Sequence, residues 1–235
     1  IYTRLADHIL QIGEQVPDAQ PLLRPGELVI KDINGYRRDA NKQPIVDENG
    51  RFVLTGEPDG LIDDADNVLL GSQDPSWLAG ITNTFKYKDF DLNIQLNGMF
   101  GRRMQDPTEM AYGLGGGDLA RYGYNALRKI KDRWTWDNPS TTQPTSFNGW
   151  GNNYTSGDWY YQRAWFIRLT NISFGWTLPK AWIARTKVLS RVRLSLSANN
   201  LFCITPYKGL DPETDYYAAS YPNARTYSMG INVTF

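Results

Sequence analysis

Asp32 and Asn34 in KDING, with Asp59, Gly60, Leu61, Asp63 and Asp66 in PDGLIDDAD, are the residues of this chain best suited to hold a hard cation. Joined with residues 36–58 looped out, they fall at positions 1, 3, 5, 6, 7, 9 and 12 of a calcium-loop pattern. Closely spaced carboxylate and amide oxygens can encircle such an ion, Gly60 permits the sharp bend, and the Leu61 carbonyl can contribute, so Ca2+ is the expected cofactor. Asp66 is shorter than the usual closing Glu, and DENG at 47–50 inside the insertion reads as a hairpin turn of its own. The same residues equally compose an Asp/Asn-rich turn cluster that needs no ion, and spacing does not decide between the two.

A second constellation is aromatic. Trp134 and Trp136 in RWTWDNP, Trp150, Tyr154, Trp159, Tyr160, Tyr161, Tyr207, Tyr216, Tyr217 and Tyr221 lie in segments rich in Asn, Asp and Gly. Exposed rings beside such side chains suit sugars, and Trp134, Trp136, Trp150, Trp159 and Tyr207 are the substrate-binding candidates; the same rings also serve loops that pack on each other. Catalytic signals are thin. His8 is the single histidine, GLGGGD at 113–118 lacks the Lys-Ser/Thr of a phosphate loop, and the adjacent Asp63 and Asp64 do not oppose one another as glycosidase carboxylates do. The chain is expected not to be an enzyme.

Lys and Arg number 25 against 25 Asp and Glu, so no net charge draws the chain to nucleic acid. Cys203 has no partner for an internal disulfide, and IYTRLADHIL lacks the pattern of a signal peptide, so the protein is cytoplasmic or its native N-terminus lies elsewhere. A mean hydropathy of -0.50 and the lack of a long apolar run exclude a membrane-spanning helix, but alternating strands escape that test.

Such strands are what the sequence predicts, around 78–88, 90–100, 164–178, 190–202 and 225–235. FDLNIQLNGMF sets Phe90, Leu92, Ile94, Leu96 and Phe100 against Asp91, Asn93, Gln95 and Asn97, and Lys88-Asp89 before it leaves room only for a tight turn. WFIRLTNISFGW changes phase near Thr170-Asn171, which predicts a bulge there. The alternate face carries Asn, Gln, Ser and Thr, suited to a wet interior, while Phe85, Tyr87, Phe90, Phe100, Trp176, Tyr227 and Phe235 suit aromatic girdles. A large all-β antiparallel transmembrane barrel fits better than a soluble sandwich. Short and long connections alternate, which predicts periplasmic turns and extracellular loops at 31–76, 101–163 and 203–224. Five strands, or six if IYTRL is one, leave open edges in lipid, so most of the barrel must come from other sequence.

Five stretches in order, GELVIKDING with PDGLIDDADNVLLGSQDPSW, FKYKDFDLNIQLNGMFG, WFIRLTNISFGWTLPKAW, LSANNLFCITPYKGLDPE and YPNARTYSMGINVTF, resemble the C-terminal part of the SusC/RagA-like TonB-dependent transporters of Bacteroidota outer membranes. The resemblance runs from about Ile9 to Phe235. It implies a 22-stranded barrel with an N-terminal plug, of which residues 1–235 are one C-terminal segment, the plug and signal peptide lying outside this sequence. It further implies import of oligomeric nutrients, glycan before oligopeptide, with a SusD-like surface lipoprotein as partner and TonB acting through the plug. Ser228, Gly230, Val233 and Phe235 look like the family's barrel-assembly signal, with Phe235 at the periplasmic rim. The competing expectation is a secreted calcium-dependent β-sandwich that binds carbohydrate, and a third is an all-β glycosidase.

Overall fold

A computed structural model describes residues 1–113, 123, 125–145, 157–214 and 220–235. Its strands are β1 (Tyr2–Thr3), β2 (Ala6–Ile9), β3 (Leu28–Ile30), β4 (Val68–Leu69), β5 (Trp77–Tyr87), β6 (Phe90–Phe100), β7 (Arg103–Gln105), β8 (Tyr161–Arg163), β9 (Phe166–Thr177), β10 (Arg191–Asn199), β11 (Cys203–Ile204) and β12 (Thr226–Thr234). Among the described residues two short α-helices join them, α1 (Pro107–Tyr112) and α2 (Lys180–Ile183). No helix among the described residues is long and apolar enough to cross a membrane, which says nothing of strands. The chain divides into a loop unit, Ile1–Gly71 with Gln105–Tyr161, and a strand unit, Ser72–Met104, Gln162–Tyr216 and Ser220–Phe235.

The strand unit is an antiparallel sheet in the order β12-β10-β9-β6-β5, with β11 also beside β9. Chain order and spatial order agree because each connection returns to the neighbouring edge. Tyr87 faces Phe90 across the Lys88-Asp89 turn, and Lys88 takes a left-handed φ of 52° to make it. Gln95 pairs with Asn171 but Leu96 pairs with Leu169, so Thr170 is the extra residue of a bulge, at the site where the hydrophobic phase changes. The five long strands match the expected ones to within a few residues.

Cross-strand register sorts the side chains into rows. Phe85, Leu92, Phe174, Leu196 and Met229 make one apolar row, and Tyr87, Phe90, Trp176, Leu194 and Ile231 run parallel to it. Thr84, Asn93, Ser173, Ser197 and Ser228 make a polar row on the opposite face. Leu92, Ile94 and Leu194 are only half-buried, and Ile231 is exposed, so among the described residues no second layer covers this face as a sandwich requires.

The loop unit is built differently. Its core is Ile9, Leu28, Ile30, Trp134 and Tyr160, with Ala6, Ile62 and Trp159 packed against it. IYTRL does not add a sixth barrel strand: Tyr2 and Thr3 pair with Leu69 and Val68 in a separate small sheet. DENG forms the expected turn, in which the Asp47 carboxylate accepts the amides of Asn49 and Arg51 and Gly50 adopts φ 75°. Asp39 does the same for Asn41 and Gln43 one repeat earlier. Between the turns Arg37, Ile45 and Val53 close a triangle: Ile45 N–H donates to Arg37, Val53 to Ile45 and Arg37 to Val53, at 2.8 to 2.9 Å.

Candidate functional site

The fold brings the two halves of the acidic pattern together. The amides of Asp59 and Gly60 donate to the Asp32 carboxylate at 3.2 and 2.7 Å, and Gly35 lies so close that a Cβ there would meet Asp59 Cβ at 2.5 Å. Gly60 supplies the bend at φ 81°. Asp66 is fully buried, and its oxygens accept the amides of Ile33, Asn34 and Asp63. Asp63 accepts from Ala65, which completes a reciprocal capping box over the helical turn Asp64–Asp66. Asp59 accepts from Leu61 N–H, while the Leu61 side chain is exposed.

Most of the predicted ligand oxygens therefore organise backbone amides. Asn34 Oδ1 is shut off from solvent with no hydrogen-bond partner. Among the described residues, no group of three or more His, Cys, Asp or Glu side chains is arranged to hold a metal ion. In this conformation the cluster is a turn whose carboxylates hold backbone amides, with Asn34 Oδ1 left over.

The aromatic candidates separate. Trp134 is 3% exposed and is the centre of the loop unit's core; its indole N–H donates to Gln11 Oε1 at 3.2 Å. The ring lies on Gly26, where φ is 91° and a Cβ would meet Trp134 Cε3 at 2.4 Å. Tyr207 is 5% exposed, packed with Met104 and Ala164. Burial takes both rings off any surface a sugar could reach. Trp136 is the opposite case. Thr135 and Asn138 exchange both backbone hydrogen bonds, which throws Trp136 onto the tip of a tight turn, 68% exposed and edge-on to Trp134 at 5.4 Å. Trp159 is half-buried, and Trp150 lies outside the described residues, as do Tyr154, Tyr216, Tyr217 and most of GLGGGD.

On the strand unit's polar face, the Arg193 guanidinium donates a fork of hydrogen bonds to the Asp91 carboxylate at 2.6 and 2.8 Å. The pair bridges β10 to β6 across β9, and it crosses at Gly175, where a Cβ would meet Arg193 Nη2 at 2.2 Å. Sequence reasoning missed this clasp; the signal was two opposite charges on the polar parity of their strands, with a glycine between them in register. Further along that face Asn93 donates to Thr84, and Asn171 to Asn199, which donates in turn to Thr226. Near the long connections, the buried pair Arg168 and Asp211 meets at 2.6 Å, and Asp211 also accepts the amides of Glu213 and Asn223, pinning the segment after β11 to β9.

The apolar face carries aromatics at both ends. Phe90 stacks on Phe174 and Trp176 near the Lys88-Asp89 turn, and Trp182 stands edge-on to Trp176 at 6.0 Å. Phe100 stacks on Trp165 at the other end. Phe90 to Phe100 spans about 33 Å of strand, or about 25 Å of height after barrel tilt, which matches the apolar band of an outer-membrane barrel. Ser228, Gly230 and Val233, on β12 at one edge of the sheet, pair with Ser197, Ser195 and Val192 of β10, and Phe235 just beyond β12 is exposed.

No family model matches the chain. It is 29% identical over 254 residues to TonB-dependent receptor P3 of Formosa agariphila, covering 97% of this chain and 24% of that protein. To the TonB-dependent receptor SusC of Bacteroides thetaiotaomicron it is 26% identical over 213 residues, covering 82% of this chain and 19% of the other. The structure of the RagAB peptide transporter matches with a TM-score of 0.65 and 22% identity, over 100% of this chain and 23% of that one; the importer in its open-open state matches with a TM-score of 0.67. The chain thus spans about a quarter of the length of the relatives it matches. In sequence the chain is thus similar to TonB-dependent receptors, SusC among them, and its fold is that of a RagA-like segment of an antiparallel β-barrel.

Proposed function

We propose that the chain is part of an outer-membrane transporter that imports oligomeric nutrients, its long connections at 31–76, 101–163 and 203–224 facing outside and its short turns, with Phe235, at the periplasmic rim. One observation carries the reading: five meandering strands present an exposed apolar face and an opposite face of hydrogen-bonded Asn, Ser and Thr, as a wall between hydrocarbon and water requires. Open edges at β5 and β12 are then completed by other strands of the same protein.

In this reading the protein makes and breaks no bond in its cargo; work consists of binding, closure and release. A SusD-like lipoprotein closes the outer mouth, and TonB acts through a plug outside this sequence. Glycan as cargo rests on Trp136, an exposed ring on a rigid turn; oligopeptide rests on the likeness to a peptide transporter. Ca2+ at the acidic loop rests on its ligand spacing and on the unpartnered Asn34 Oδ1, and Ser228, Gly230, Val233 and Phe235 are assigned to barrel assembly.

Deleting the gene and measuring growth on single glycans and on oligopeptides as sole nutrient tests the reading. Loss on one nutrient class identifies the cargo, and undiminished growth on all of them overturns import. Chelating calcium from the full-length protein is expected to lower its melting temperature; superimposable melting curves would remove the ion.

A further inference from the structure

We propose that the short-turn end of the strand unit is a binding surface for anionic phospholipid. The argument rests on the apolar face being lipid-facing and asks what lies at its rim. Lys88, Lys180, Arg185 and Lys187 are all exposed there, and none forms an ion pair with a described residue. Asp91, the acid one row in, is already engaged by Arg193, which leaves Asp89 as the acid of the two turns.

The connections place these cations together. The Thr177 amide donates to the Asp89 carbonyl at 2.8 Å, so the β5–β6 turn abuts the end of β9 from which α2 springs. At the other end of that connection, Ser190 N–H and Oγ both donate to the Thr234 carbonyl, which ties its return to β12. Two contacts set the side of the sheet. Lys88 Nζ lies 5.3 Å from the centre of the Tyr87 ring, and Trp182, 60% exposed, stands on Trp176; both rings contacted belong to the apolar face.

Cations beside half-exposed Trp and Tyr at the edge of an apolar surface have the chemistry of a headgroup layer: the rings sit at the polar–apolar boundary while the cations meet phosphate. One row further in, Leu92, Ile172, Phe174, Leu196, Ala198, Tyr227 and Met229 line an open hollow of about 430 Å³, where the small Ala198 sits between Ile172 and Tyr227. Headgroup phosphate at the cations with an acyl chain in this hollow uses both features at once.

The test uses the full-length transporter in vesicles of equal parts phosphatidylglycerol and phosphatidylethanolamine, with the lipid retained after mild detergent extraction measured by mass spectrometry. The wild type is expected to retain phosphatidylglycerol preferentially. The combined Lys88→Gln, Lys180→Gln, Arg185→Gln and Lys187→Gln variant should lose about tenfold or more of that preference, and exchanging Lys and Arg at these sites should keep it. Raising ionic strength should erode the preference of the wild type itself, a readout that needs no variant to fold. Retention of the two lipids in vesicle proportion by the wild type, or an unaltered preference in the variant or in high salt, overturns the proposal. Protection of the strands from protease in the vesicles is scored separately. Unprotected strands would sink the transporter reading as well, whereas protected strands without lipid preference would sink this inference alone.

Discussion

The strand unit and the loop unit spend their apolar residues in opposite ways. Among the long strands Met229 is 75% exposed and its apolar row is held by the hydrogen-bond ladder; in the loop unit Trp134 is 3% exposed and holds its surroundings by packing. The strands are legible because the solvent they are built for rewards alternation, whereas in the loops distant contacts decide which rings are covered: Trp134 is buried and Trp136, two residues on, is 68% exposed.

Removing Trp134 should have the largest effect. Trp134→Ala is expected to cost about 3–5 kcal/mol of loop-unit stability, read as faster amide exchange at Ile9, Leu28 and Ile30 with β5–β12 unchanged. Retained protection would show that the ring is not a core. On the strands, a neighbouring pair tests the two faces: Leu196→Arg should cost about 2–4 kcal/mol of folding in vesicles and Ser197→Arg much less. Equal costs would remove the distinction between a lipid side and a water side.

Asp66→Ala leaves three backbone amides without their acceptor and should cost about 2–3 kcal/mol, visible as increased exchange at Ile33, Asn34 and Asp63, with Asp66→Asn intermediate. The smallest effect is at His8, which sits between Asp7 and Glu14 at 2.8 and 2.6 Å. Burial pulls its pKa down, but hydrogen bonds to the two carboxylates outweigh that and leave it above the ordinary 6.5. The clamp's contribution is fully present below pH 6.5 and fades as pH rises through the raised value, while at the acid end it fades as Asp7 and Glu14 protonate below their usual range. Titrating the His8 ring protons in wild type and in Glu14→Gln checks this; an unmoved midpoint in the variant would dismiss the clamp.

Period-two alternation placed five strands and even the bulge at Thr170, because a one-residue slip turns every side chain to the wrong solvent. The acidic loop was half legible: spacing predicted that Asp32, Asp59 and Asp66 would meet, but not that backbone amides would take their oxygens, since every carboxylate suits either partner. Trp134 and Tyr207 were misplaced because ring burial depends on contacts far along the chain, such as Gly26 beneath Trp134. The triangle of Arg37, Ile45 and Val53 went unread although an eight-residue spacing joins its members, with Asp39 and Asp47 opening the two turns between them.

The clasp of Arg193 and Asp91 over Gly175 has a mechanical consequence. Ladder bonds between adjacent strands yield one rung at a time when peeled, but a tie that skips a strand must be stretched before either seam beneath it can open. A sheet reinforced in this way resists peeling at both seams together, and the missing side chain at position 175 is what lets the tie lie flat.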